Sequence, residues 1–448
     1  MNTRSSPKIA IIGGGWAGLA AAVELTAAGA QVTLFEAARQ LGGRARSVAI
    51  NGHTLDNGQH ILVGAYRETL RLMRLTGAQP EQRLRRLPLE LRQPGEGFRL
   101  RLPKLPAPLH LAIGLLFADG CTISEKISAA RFMRALQADN YRLALDCSAA
   151  ELLDRHGQNG ALRKLMWEPL CVAALNTAPE HASAQIFINV LRDSLGGDRA
   201  ATDLLLPMAD LRRLFPDAAA EFVERHGGRI RLCARVDAFS DALAINGESF
   251  DRIILATAPQ HAVRLLAAHG DTGEIAQMLA GYQYEPIGSV YLGYPQNFSL
   301  PFPMIGIESC REKRLGQWVF DRGQLGGAHG VMSFVLSADG AWDSLDNEAL
   351  CAALHGELET ILARPLPPPA WHKVLRDRRA TFSCRPGLPR PTARTTMNGL
   401  WLAGDYVYAE YPGTLEGAVR SGIAAAQGIL AGREPGFQTT DIAFPDAS

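Results

Sequence analysis

Apolar and polar positions along the chain switch between the two periods of secondary structure. Lys8–Ile12 is a short apolar run with the length of a buried strand. It leads into Gly13-Gly14-Gly15-Trp16-Ala17-Gly18, and an alanine-rich stretch to about Ala28, closed by Gly29, predicts a helix. Residues 31–36 predict a second strand ending in the acid Glu36. Ser47–Ile50 and His53–Asp56 read as a hairpin about Asn51-Gly52, the pair favoured by a type I′ turn. Residues 229–236 and 253–256 predict further strands, and 399–405 an apolar strand closing on Gly404-Asp405. A small-residue helix should then run from about Thr414 to about Leu430. Between these segments the pattern is helical over 76–204 and strand-like at 289–292, 317–320 and 331–336. No internal repeat is visible.

The first of these units carries a specific chemistry. Strand, GxGxxG, helix, strand and acid follow in one βαβ unit, the fingerprint of a dinucleotide site. Gly13 permits the tight turn, Gly15 lets backbone approach a diphosphate, and Gly18 lets helix and strand pack closely. The helix start offers free N–H groups and positive dipole to phosphate. Glu36 can accept hydrogen bonds from ribose hydroxyls. A flavin or a nicotinamide dinucleotide satisfies this unit alone. Gly42-Gly43-Arg44 tilts the choice to the flavin, because a nicotinamide enzyme needs no second glycine pair. At the other end, Asp405 can reach a ribityl hydroxyl, and a helix opened by Thr414 can aim its dipole at a flavin pyrimidine edge.

Composition then excludes other classes. The 448 residues carry 46 Lys+Arg against 45 Asp+Glu, net +1, which gives no reason to expect nucleic acid. Seven scattered cysteines, without a CxxC pair, read as reduced, and the expected location is intracellular, hence cytoplasmic. No apolar run reaches the roughly 18–20 residues that span a bilayer. Residues 105–117, LPAPLHLAIGLLF, follow Arg99, Arg101 and Lys104 and can lie in a membrane interface. A buried helix lining a substrate cavity explains the same stretch, and the two readings are compatible at a tunnel mouth. The sequence contains no HExxH and no G-x-S-x-G, so no metal site and no nucleophile elbow are expected.

The glycine fingerprint, Gly42-Gly43-Arg44, Ala403-Gly404-Asp405 and Thr414-Leu415-Glu416-Gly417-Ala418-Val419-Arg420-Ser421-Gly422 together resemble the amine oxidase / phytoene desaturase superfamily of flavoproteins. Within it, Asp56-Asn57-Gly58-Gln59-His60, Leu165-Met166-Trp167-Glu168-Pro169-Leu170, Ala174-Leu175-Asn176-Thr177 and Arg379-Ala380-Thr381-Phe382 look like the bacterial hydroxysqualene dehydroxylases. The resemblance covers nearly the whole chain. One departure is Tyr406-Val407, where relatives commonly carry Trp-Thr.

The resemblance implies an α/β fold: a Rossmann-type FAD-binding domain (1–75, 205–265 and 370–435) interleaved with an α+β substrate domain (76–204 and 266–369). A poorly ordered tail, 436–448, would follow. It implies non-covalent FAD held by Gly13, Gly15, Trp16, Ala17, Gly18, Glu36, Gly43, Arg44, Gly58, Gln59, Gly404, Asp405, Thr414, Leu415 and Glu416, with Val236 backbone near the adenine. It implies a C30 isoprenoid allylic alcohol as substrate, reduced from hydroxysqualene to squalene on the way to hopanoids, and an electron donor that the sequence does not identify. A carotenoid-type desaturase and a flavin amine oxidase are the rival readings. His60 is the first candidate proton donor and Tyr411 the second. Trp167 and Asn176 are candidate cavity-lining residues, against the plainer readings of a core Trp and a turn Asn.

Overall fold

The computed structural model describes residues 6–93, 97–307 and 315–432. The expected tail at 436–448 and Cys310 lie outside the described residues.

Five short strands form a parallel sheet in the order Arg229–Arg231, Gln31–Phe35, Lys8–Ile12, Arg252–Leu255, Leu400–Leu402, apolar except at the Arg229–Arg231 edge. The order reverses once, between Arg229–Arg231 and Arg252–Leu255, which lie on opposite sides of Lys8–Ile12, and this is the switch point of a doubly wound sheet. Its central strand, Lys8–Ile12, has both neighbours in parallel register and is buried except at Lys8. The helix Trp16–Ala27 is buried on nearly every side, which explains its alanine content: only small side chains let neighbours approach from all directions. The closest neighbour is the helix Leu415–Ala431. A Cβ on Gly422 would lie 2.1 Å from the Ala17 carbonyl oxygen, so the two helices touch backbone to backbone. The first and last helices of the described residues are thereby locked together. The strand expected at 229–236 ends at Arg231, because the chain turns and Cys233 takes a left-handed φ of 53°.

A second sheet is antiparallel, in the order Met304–Gly306, Trp318–Asp321, Val331–Ser337, Tyr284–Gly293, Trp371–Phe382. Its core packs Val290, Leu292, Phe334 and Leu336 against Leu350, Leu354 and Leu358 of the helix Asn347–Leu362. Burying each such side chain is worth about 1.5–3 kcal/mol. The strand Trp371–Phe382 corrects the expected boundary at 370. It pairs with Tyr284–Gly293 along its length, so the second sheet extends to Phe382. The helical stretch expected at 76–204 also contains strands: Leu84–Leu87, Glu90–Gln93 and Phe98–Arg101. The hairpin about Asn51-Gly52 forms as expected, with left-handed φ of 49° and 75° at its two turn residues.

Candidate cofactor site

The carboxyl ends of the parallel strands converge on one edge, where a doubly wound sheet takes its ligand. Gly13 follows the first strand with φ +112°, and a Cβ there would sit 2.6 Å from the Ala256 carbonyl oxygen. A Cβ on Gly18 would meet the Gly13 carbonyl oxygen at 2.0 Å, so the helix can enter the turn only with glycine there. Gly15 begins the helix with no side chain capping it and no acid in its first turn. Those N–H groups suit a phosphate. Gly42 and Gly43, at φ +106° and +64°, pack beside Gly15: a Cβ on Gly43 would lie 3.2 Å from its Cα. Three glycines thus leave bare backbone at one place, and a dinucleotide diphosphate fits this surface.

Glu36 stands at the end of the second strand. Its carboxylate accepts the Gly14 and Ala38 N–H groups, both at 2.7 Å. The glycine turn therefore holds the acid in position. The loop after Arg231 returns to the same corner, where the Ala234 N–H donates to the Glu36 carbonyl at 2.9 Å and Val236 is partly buried.

The two remote motifs meet at Arg44. Its guanidinium donates to Asp405 Oδ2 at 2.7 Å and to the Ala380 carbonyl. Burial alone would lower the Arg44 pKa; the Asp405 carboxylate outweighs it and the net shift is upward. Gly404 has φ +153°, its N–H donates to Ser421 Oγ at 2.8 Å, and the Tyr406 ring fills the space a Cβ would take. The Tyr406 hydroxyl is buried with no hydrogen-bond partner among the described residues. Thr414 caps the last helix by accepting the Gly417 N–H at 3.1 Å.

The Gly58–His60 loop is anchored from the second sheet. Arg322, buried, donates to Gln59 Oε1 at 2.7 Å and stands 3.6 Å from Asp56 Oδ2. Tyr291 donates to the Asp56 carbonyl at 2.8 Å. Nothing local in the sequence marks Arg322, whose partner Gln59 is 263 positions away. The His60 Nδ1 lies 2.9 Å from the Gly58 carbonyl oxygen. Burial lowers the His60 pKa, the Gly58 carbonyl opposes the shift, and the Arg44 charge adds to it. Burial and the Arg44 charge thus favour the uncharged ring, and a proton on Nδ1 would be accepted by the Gly58 carbonyl.

Several expected contacts are corrected. The Glu416 carboxylate does not face a cofactor: it accepts from the Glu68 and Thr69 N–H groups, capping the helix Arg67–Thr76, and pairs with Arg420 at 2.7 Å. Only its backbone remains for a ligand. The Trp16 ring packs on Phe215 and its Nε1 donates to the Ala45 carbonyl, and the partly buried Leu415 side chain packs against the core, so each offers its backbone and not its side chain to a ligand. The Ala17 carbonyl faces Gly422, which leaves its N–H, in the first turn of the helix, for a ligand. The Tyr411 hydroxyl donates to Asp193, and burial, with Asp193 beside it, raises its pKa; it is not a free proton donor. Trp167 is a core side chain, edge-on to Phe132, with Nε1 donating to Gln158 Oε1 at 3.0 Å. Asn176, at φ 47°, ends the helix Glu168–Leu175. It donates to Thr381 Oγ1 at 2.9 Å and accepts the Ala338 N–H at 2.7 Å, tying the helices to the second sheet.

A parallel doubly wound sheet, a bare diphosphate cradle and a carboxylate brought to it from the opposite end of the chain define an FAD-dependent oxidoreductase. Residues 16–430 match the family of flavin containing amine oxidoreductases, and the chain belongs to that family. It is 28% identical to the hydroxysqualene dehydroxylase of Rhodopseudomonas palustris, over 95% of this chain and 99% of that protein. It is 23% identical to the 15-cis-phytoene desaturase of Synechococcus elongatus, over 95% and 96%. A solved structure of a putative protoporphyrinogen oxidase from Exiguobacterium sp. 255-15 shares the fold: TM-score 0.67, 21% identity, 96% of this chain and 100% of that one. Among the described residues no group of His, Cys, Asp and Glu side chains could hold a metal ion, and no helix is long and apolar enough to cross a membrane.

Proposed function

We propose that this protein reduces hydroxysqualene to squalene, replacing an allylic C–O bond by C–H, in the supply of squalene for hopanoids. The observation that carries the reading is the likeness to a hydroxysqualene dehydroxylase along both chains nearly end to end, substrate half included. When bound, reduced FAD supplies a hydride. The turn at Gly13, Gly15 and Gly18 and the adjoining Gly43 would hold its diphosphate, Glu36 its ribose, and Asp405 its ribityl chain. Arg44 holds Asp405 in place for this.

The balance is simple. The hydroxyl leaves with one proton as water, the carbon is left cationic, and the hydride completes the C–H bond. Hydroxide is a poor leaving group, so a donor at the hydroxyl is needed. His60 in its protonated form is the proposed donor, giving up the Nε2 proton while Nδ1 stays on Gly58, on the loop that Arg322 anchors through Gln59. A separate electron donor must return FAD to its reduced form. A C30 hydrocarbon gains about 0.8 kcal/mol per buried CH₂, so it resides in lipid, and a peripheral seat on the cytoplasmic membrane suits the enzyme.

A second reading, a carotenoid-type desaturase, is favoured by the likeness to phytoene desaturase. The two run the flavin in opposite directions. Anaerobic mixing of photoreduced holoprotein with hydroxysqualene separates them. Flavin reoxidation with squalene as product is expected. Flavin that stays reduced with hydroxysqualene, together with oxidised flavin that phytoene bleaches, overturns the first reading in favour of the second.

A further inference from the structure

Of eight exposed large apolar side chains among the described residues, five fall between positions 109 and 127: Leu109, Leu116, Phe117, Ile123 and Ile127. Scattered single apolar residues are ordinary on a protein surface, but a contiguous set marks a contact. These five are contiguous. The helices Leu109–Leu116 and Ile123–Ala138 pack together, and Lys126 Nζ donates to the Leu116 carbonyl at 2.9 Å, which seats the start of the second helix on the end of the first.

The first helix has two distinct apolar faces. His110 and Gly114 are buried, and a Cβ on Gly114 would lie 2.6 Å from Leu102 Cδ2, so that face is already pressed on the core. Leu109, Ala112 and Leu116, spaced i, i+3, i+7, point outward. The second helix continues this surface with Ile123 and Ile127 and then turns cationic, with Arg131 and Arg134 exposed. Lys104, five residues before Leu109, is exposed as well. Lys104, Arg131 and Arg134 make no ion pair among the described residues. The Glu125 carboxylate is occupied by the Thr122 and Ala161 N–H groups. The exposed apolar residues are thus flanked along the chain by exposed cations without ion-pair partners among the described residues.

We propose that this two-helix tip seats the protein on an anionic bilayer, with Leu109, Leu116, Phe117, Ile123 and Ile127 among the acyl chains and Lys104, Arg131 and Arg134 at the headgroups. The usefulness of such a seat rests on the lipid-borne substrate of the proposed function; the surface itself does not. Eight helical residues rise about 12 Å, against a hydrocarbon core of about 30 Å, so the tip lies in the interface and does not span it. A second copy on the same patch would bring the two sets of exposed cations together, and like charges oppose that pairing. Anionic headgroups complement them instead.

The test is co-sedimentation of the full FAD-loaded chain with vesicles of mixed phosphatidylglycerol and phosphatidylcholine, and with vesicles of phosphatidylcholine alone. Binding to the mixed vesicles is expected, roughly tenfold weaker without the anionic lipid and weaker at high salt. Leu116→Ser/Phe117→Ser/Ile123→Ser should lose at least about tenfold in binding while keeping flavin content and Tm. Lys104→Gln/Arg131→Gln/Arg134→Gln should erase the preference for anionic lipid. Wild-type protein that stays in the supernatant, or an apolar triple variant that sediments like wild type, overturns the proposal. So does a dimer in solution that the apolar triple variant dissociates, since the patch would then belong to a second copy. No substrate enters the measurement, so its failure leaves the redox reading standing, and failure to form squalene leaves the docking surface standing.

Discussion

Arg44 and Asp405, 361 positions apart in the chain, meet in one ion pair at 2.7 Å. The pair closes the second glycine turn onto the end of the last parallel strand. A cofactor laid on the N-terminal cradle is therefore gripped by the C-terminal half as well. Asp405 is buried, and Arg44 is its hydrogen-bonding partner. Removing one member of a buried pair typically costs about 3–5 kcal/mol, because it strands the other charge. Arg44 keeps 37% of its side chain exposed, so solvent screening brings the expected loss below that range. Arg44→Met should lower Tm and the ratio of bound flavin to protein, and Arg44→Lys should restore only part, lacking the planar fork. Unchanged flavin stoichiometry and Tm in Arg44→Met would remove the pair from the cofactor site.

Two glycine substitutions should move stability in opposite directions. Gly422→Ala places a Cβ 2.1 Å from the Ala17 carbonyl oxygen, which is backbone and cannot swing aside. The two helices must part, at a cost of about 1–3 kcal/mol or more. Gly356 lies within the helix Asn347–Leu362 with nothing within 4 Å of its Cβ position, so Gly356→Ala should stabilise by up to about 1 kcal/mol. Urea unfolding of both variants checks the contrast. A neutral Gly422→Ala would mean that the helix contact is looser than the geometry requires.

Local spacing made some of this legible and long-range partnership hid the rest. Gly13, Gly15 and Gly18 sit within one turn, and their roles are written in their intervals. Asn51-Gly52 likewise specifies its hairpin without help from elsewhere. Glu416 reads as a cofactor residue because it follows Thr414, but its carboxylate serves Glu68 and Thr69, which lie 348 and 347 positions away. The strand Trp371–Phe382 is an edge strand carrying Lys373, Arg376, Asp377, Arg378 and Arg379, so alternation is blurred and its pairing is invisible before Tyr284–Gly293 lies beside it. Asn176 could be read as a turn residue, but its partners are Thr381, on a strand of another sheet, and Ala338, just past the end of a second strand of that sheet.

Asp56 should make stability depend on pH. Burial pushes its carboxyl pKa from 3.8 up to about 6, against the opposing pull of Arg322 and the Leu211 N–H. A carboxyl raised in the folded state favours folding when protonated. Its contribution is fully present below the unfolded pKa and is lost as pH rises through about 6. A shift of this size corresponds to about 3 kcal/mol between those limits. Asp56→Asn keeps an acceptor for the Leu211 N–H and carries no charge. Chemical denaturation from pH 4 to pH 8 should show wild-type stability falling more steeply than that of Asp56→Asn. Parallel slopes would mean that Arg322 keeps Asp56 ionised at little cost.

His60 should leave its mark on the rate profile. Its pKa lies below the ordinary histidine value, first because of burial and further because of the Arg44 charge, with the Gly58 carbonyl opposing. If His60 delivers the proton to the departing hydroxyl, only its protonated form is competent. Under that assignment kcat/KM falls as pH rises through a value on the acid side of 6.5. His60→Gln should abolish this limb and lower the rate by about 10²–10⁴ at low pH while flavin content holds. The Arg44→Lys variant retains the charge that depresses the pKa, whereas Arg44→Met removes it, so the limb should move to higher pH in the second variant alone. A limb that survives His60→Gln would assign the proton to another group, and a limb indifferent to Arg44→Met would mean that burial alone sets the His60 pKa.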